Sequence, residues 1–158
     1  MGASATDQSA GLGWRLALVE TLAFHEDTGL SEAAVPSGFR LNADLDLDEE
    51  QGALVVPIRI EAVPSEHAEE DEAMASIEVA CVFQFEDIEA ARDADGQVRI
   101  NRSQALSALG IALATTRGVL VGRAKHPVFS RVVLPLLSPR DQFASLVDSP
   151  DKPWIGNG

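Results

Sequence analysis

Between residues 39 and 48 apolar and polar side chains alternate without a slip, Phe39, Leu41, Ala43, Leu45 and Leu47 against Arg40, Asn42, Asp44, Asp46 and Asp48. A period of two predicts a strand with one dry face and one wet face. The same period recurs over residues 53–63, with Leu54, Val56, Ile58, Ile60 and Ala62 on one face, and over 74–85, with Ile77, Val79, Cys81, Phe83 and Phe85 together. Short polar breaks separate the three runs: a turn at 49–52, where Gly52 is free to turn left-handed, and an acidic loop at 64–72. The spacing therefore predicts an antiparallel meander. Pro57 cannot donate to a ladder, which predicts an unpaired or bulged position beside it. Residues 13–24 fit two periods, since Trp14, Leu16, Leu18, Leu22 and Phe24 alternate while Leu12, Leu16, Val19 and Ala23 form a helical stripe. Glu20 breaks the alternation, and the β-branched Val19 and Thr21 favour a strand.

After a connection at 86–102, turned at Asp95-Gly96, the period changes. Leu106, Leu109, Leu113 and Leu120 fall on one helical stripe, with Ser103 as the expected N-cap and His126-Pro127 as the stop. Beside that stripe lie Gly110, Ala114, Gly118 and Gly122, four small residues at intervals of four. A glycine inside a helix costs about 1 kcal/mol relative to alanine, so this spacing predicts a backbone packed close along it. A dense apolar run at 129–137 (FSRVVLPLL), a short helix at 139–147 and a Pro/Gly-rich tail at 148–158 follow. The elements describe an α+β fold, a single domain over 12–147. A small, polar segment at 1–11 is expected to be disordered, and Trp154 and Ile155 in the tail can either dock or stay free.

The 25 acidic residues against 12 basic ones leave a net charge of −13. Such a chain repels phosphate backbones and anionic surfaces, which argues against nucleic-acid partners and lipid surfaces. The lone Cys81 sits in a strand pattern and predicts a buried hydrophobe. No basic, apolar leader opens the chain, and no apolar run reads as a membrane span; a reducing cytoplasm is expected. His25, His67 and His126 lie far apart and argue against a metal site. There is no phosphate-binding glycine loop, no G-x-S-x-G and no pair of carboxylates placed for acid and base work, so neither a cofactor nor an enzymatic role is predicted.

The runs VACVFQFEDI (79–88) and VVLPLLSPRDQF (132–143), with Arg123 and Pro127 between them, resemble the SecB family of export chaperones. Cys81 to Ile88 match the family's strand end, and Leu134, Pro135 and Phe143 match its proline-containing segment. Ala124 and Lys125 stand where the family has a glycine, and Pro139-Arg140 replaces its Asn-Phe pair, so the resemblance is to a divergent member. It implies a four-stranded, Greek-key-like antiparallel sheet backed by one long helix with a short C-terminal helix, assembled as a dimer of dimers. It also implies an ATP-independent holdase for unfolded clients, acting in protein export. Phe129, Val132, Val133 and Leu134, with Phe83 and Phe85, are then the expected client contacts, and Gly110, Ala114, Gly118 and Gly122 the expected oligomer interface. The alternatives are a dedicated chaperone of one partner such as an antitoxin, and a small-molecule-binding α+β domain. The family's acidic contacts to the export motor SecA fall at Thr21, His25 and Ser76, none of them acidic, which argues against strong SecA coupling.

Overall fold

The computed structural model describes residues 13–31, 33–65, 67, 69, 72–130 and 138–156. Strands β1 (Trp14–Glu26), β2 (Gly38–Ala43), β3 (Asp46–Asp48), β4 (Ala53–Val63) and β5 (Ala75–Phe85) form one antiparallel sheet. Its spatial order is β1, β5, β4, and then β2 and β3 end to end along the far side of β4. The meander thus forms as its periodicity requires, while β1 crosses to the opposite edge and makes the topology a Greek key. Helix α1 (Arg102–Arg123) lies across β4 and β5, and Leu54, Val56, Ile58, Ile60, Ile77, Val79, Cys81 and Phe83 pack under its Leu106, Ala108, Leu109, Ala112, Leu113 and Leu120. Helices α2 (Pro127–Ser130) and α3 (Pro139–Val147) follow, with Phe143 and Val147 closing the core.

The alternating stretch 39–48 is broken into β2 and β3 at Asp44-Leu45, and Pro57 is the reason. Asp44 donates its amide to the Pro57 carbonyl at 3.1 Å. In that narrow pair the return bond would come from residue 57, which has no N–H. Toward β5, Pro57 faces Ala80, and the ladder continues without interruption. The register is the same on both sides of the break, Ala43 opposite Ile58 and Asp46 opposite Val55, so Leu45 stays on the core face and is fully buried.

The strand expectation for 13–24 holds, and the lapse in its alternation has a physical cause. Pairing with β5 slips between Leu16 and Leu18 and again between Thr21 and Ala23, leaving Ala17 and Leu22 as the extra residues of two bulges. Each bulge resets which side chains face the helix.

Three further expectations are corrected or resolved. Asn101, not Ser103, caps α1, its Oδ1 accepting the Ser103 amide at 2.8 Å. Over its 22 residues α1 is, by length and composition, apolar enough to cross a membrane, contrary to the expectation that no run is; its buried face is spent on the sheet. The tail docks: Ile155 pairs in parallel with Ile100, Ile100 donates to the Trp154 carbonyl, and Lys152 reaches Asp44 at 2.8 Å. The expected disordered segment 1–11 lies outside the described residues. As expected, Gly52 and Gly96 turn left-handed, with φ of 62° and 77°.

Candidate functional site

What α1 fails to cover stands out first. The register puts Trp14, Leu16, Val19, Thr21 and Phe24 on the helix side of the sheet and Arg15, Leu18, Glu20, Ala23 and His25 on the outer side. Yet α1 sits over β4 and β5, and among the described residues no strand lies beyond β1. Leu16, Leu18, Val19, Leu22 and Phe24 are all exposed, Leu18 by 52% and Leu22 by 51%. They account for five of the eight large apolar side chains exposed among the described residues, and they line a strand whose outer edge no other described strand pairs with. A free, apolar edge is a template for another strand.

The small-residue stripe of α1 is the second uncovered surface. Gly110 is half-buried, while Ala114, Gly118 and Gly122 are exposed beside Ile111 and Val121. A Cβ added to Gly118 or Gly122 would meet nothing within 4 Å. Among the described residues no backbone packs close against Gly118 or Gly122, and the first half of the stripe borders a shallow groove lined by Leu106, Ser107, Gly110, Ile111 and Ala114.

The expected client contacts separate. Phe83 and Phe129 are fully buried and Phe85 nearly so, a correction: these aromatics are core, Phe83 under Trp14 with ring centres 4.7 Å apart and Phe129 among Ala62, Met74 and Ala75. A side chain already enclosed by its own chain has no surface to offer a client. Val132, Val133 and Leu134 lie outside the described residues. Sequence reasoning missed the exposure of β1, whose apolar content was visible but whose position at an edge was not.

The corner that leads toward that segment is built with care. The carboxylate of Glu26, at the end of β1, accepts the backbone amides of Lys125 (3.0 and 3.2 Å) and His126 (3.4 Å). The His126 Nε2 lies 2.9 Å from the Ser31 carbonyl, and its ring stands 5.5 Å from that of Phe129.

The ionised groups serve structure. On the outer sheet face, the buried Glu61 takes Arg40 (3.0 Å) and Arg59 (3.1 Å), with Glu78 3.6 Å from Arg59. The hydrogen bond from Lys152 holds the Asp44 carboxyl below the usual range, and those from Arg102 and Arg92 do the same for Asp148 and Glu89. Burial pushes the Cys81 thiol up. Among the described residues no three His, Cys, Asp or Glu side chains gather as metal ligands.

No family model matches the sequence, and no curated protein matches it. Among solved structures, the Mycobacterium tuberculosis SecB-like chaperone Rv1957, in complex with a ChAD peptide from the Rv1956 HigA1 antitoxin, superposes with a TM-score of 0.52 at 16% identity, covering 79% of this chain and 88% of that one. The sheet, the long helix and the short C-terminal helix of this chain are thus similar in fold to that SecB-like chaperone, the fold that the resemblance implied.

Proposed function

We propose that this chain is an ATP-independent holdase that binds non-native polypeptides in the cytoplasm. The observation that carries this reading is the fold shared with a peptide-bound SecB-like chaperone, in a chain of net charge −13 that leaves apolar surface uncovered on β1 and α1. Apolar surface catches other chains, and like charge keeps the loaded assembly dispersed. A dimer of dimers requires two different two-fold interfaces. Two uncovered apolar surfaces are available: the free edge of β1, suited to strand pairing, and the stripe Gly110, Ala114, Gly118, Gly122, suited to close helix packing. Clients are then left to the apolar run after α2, with Val132, Val133 and Leu134 as contacts and Phe129 as the buried anchor that begins it. The test is light scattering of a heated model client without nucleotide. Suppression lost on making Val132 or Leu134 polar, with fold and mass intact, is the expected result, and unchanged suppression removes those residues.

A second reading is a chaperone dedicated to one partner, favoured by the peptide-bound state of the solved structure that shares this fold. Affinity purification from the host separates the two, many clients for the first and one partner for the second. Coupling to SecA in export is not expected to be strong. Thr21 faces the helix side, whereas His25 and Ser76 oppose one another on the outer face, where Glu20 and Glu78 are the nearby acids. Tight, salt-sensitive SecA binding in calorimetry, abolished by Glu78→Gln, would restore the export role.

A further inference from the structure

The C-terminal tail fills a seat that the rest of the chain leaves incomplete. Strand β6 (Ile100–Asn101), just before α1, pairs among the described residues only with β7 (Ile155–Gly156). Ile100 is buried, and its amide donates to the Trp154 carbonyl at 2.7 Å. With the tail away, that amide stands at a strand edge without its ladder partner, and a buried donor left unmade is costly. Such an edge takes an extended segment from whichever chain supplies one. Its surroundings select the segment. Ile155 is 7% exposed and joins the core cluster that holds Val98, Ile100, Phe143 and Val147, with Trp154 packed against it. Lys152 reaches Asp44 at 2.8 Å, at the break that Pro57 makes between β2 and β3. The seat thus reads a basic residue and then, two and three positions on, an aromatic and a β-branched one.

The tail's own hold on this seat is slight. Only two positions pair, Arg99 adds a hydrogen bond to the Pro153 carbonyl, and the ion pairs of Lys152 and Arg102 end on half-exposed carboxylates, Asp44 and Asp148. Pairs of that kind contribute little. Pro150 and Pro153 have no N–H to add to a ladder, and an open cleft lined by Arg99, Val147, Asp148 and Lys152 runs beside the tail. A terminal segment with so few ties opens far more often than the whole fold does. We propose that the seat between β6, α3 and Asp44 is a binding site for an extended segment of a partner protein, kept shut in the unbound chain by the tail. The tail is the template for that segment: a basic residue for Asp44, an aromatic ring over the core edge and a β-branched side chain beside Ile100. A basic segment also suits a chain of net charge −13, which draws it in and repels acidic competitors.

The test uses the full chain as wild type, Ile155→Asp and the milder Lys152→Glu, with a labelled peptide of residues 148–156 as the probe. Ile155→Asp is expected to raise amide exchange at Ile100 about tenfold while β4 and β5 keep their protection. By anisotropy it should bind the peptide about tenfold more tightly than wild type does, because a tail that closes the seat reduces apparent affinity by the fraction open. Bound peptide should restore the protection of Ile100, and a peptide carrying Lys152→Glu or Ile155→Asp should bind about tenfold more weakly. Unchanged exchange at Ile100 in both variants overturns the proposal, as do equal peptide binding by wild type and Ile155→Asp, and binding that ignores the peptide's sequence. Protection lost throughout β4 and β5 in both variants makes the tail an integral part of the core and overturns it too. A light-scattering mass that halves in Ile155→Asp assigns the seat to the tail of a second copy instead, and the partner-binding role falls. No aggregation assay enters, so failure of the holdase reading leaves this site standing.

Discussion

β1 and β5 are hydrogen-bonded neighbours along eleven paired positions and are similarly apolar, yet most of β5 is buried, whereas no residue of β1 is buried and most are exposed. The difference lies in their surroundings. Among the described residues β5 has strands on both sides and α1 above it, whereas β1 has a strand on one side only and lies past the flank of the helix. Apolar character alone therefore does not tell a core strand from an exposed one. The number of neighbours does, and an apolar strand left with one neighbour is a surface awaiting another.

The sharpest break of this comparison is Phe83→Ala. A fully buried ring removed from β5 should cost about 3–5 kcal/mol, read as a fall in the denaturation midpoint. Leu18→Lys on β1 should behave in the opposite way. Leu18 contributes little to its own subunit, so intrinsic stability should move by no more than about 0.5 kcal/mol while the light-scattering mass falls by half. A lowered midpoint with unchanged mass would instead make β1 an ordinary part of the subunit.

Gly118 sharpens the same contrast on α1. Within one subunit an added Cβ is free of contacts, so Gly118→Ala should stabilise the isolated fold by about 1 kcal/mol. Gly118→Leu should then overpack an interface between copies and lower the mass. An unchanged mass with a raised midpoint would leave the stripe solvent-facing.

The smallest effect is expected at the tail. Asp44 and Asp148 are held below their ordinary range by Lys152 and Arg102, so the folded state takes up these protons less readily than the unfolded one. Their stabilisation is present above about pH 4 and is lost as pH falls through the folded values. Both carboxylates are about half exposed, and the contribution is correspondingly small. Trp154 fluorescence in a Trp14→Phe background should report tail release on acidification, and Lys152→Met should move that release to higher pH.

How much of this was legible in the residues can be judged element by element. β4 and α3 have the bounds their patterns predict, because a half-buried surface enforces its period locally. The turns at Gly52 and Gly96 were legible because a left-handed position selects its residue type. Even the break at Asp44 was foreshadowed by Pro57, although which neighbour would lose the bond was not. The bulges at Ala17 and Leu22 were visible only as a fault at Glu20, since a slip is defined by the partner strand. What the sequence by itself determined was the local grammar: which segments are strands, where the long helix runs and which of their faces are apolar. Only the tertiary structure decided that β1 crosses to a free edge, that the glycine stripe faces outward, that Phe129 is core, and that Glu26 meets the amides of Lys125 and His126. Each of these depends on residues far apart in the chain, and periodicity carries no record of a neighbour that distant.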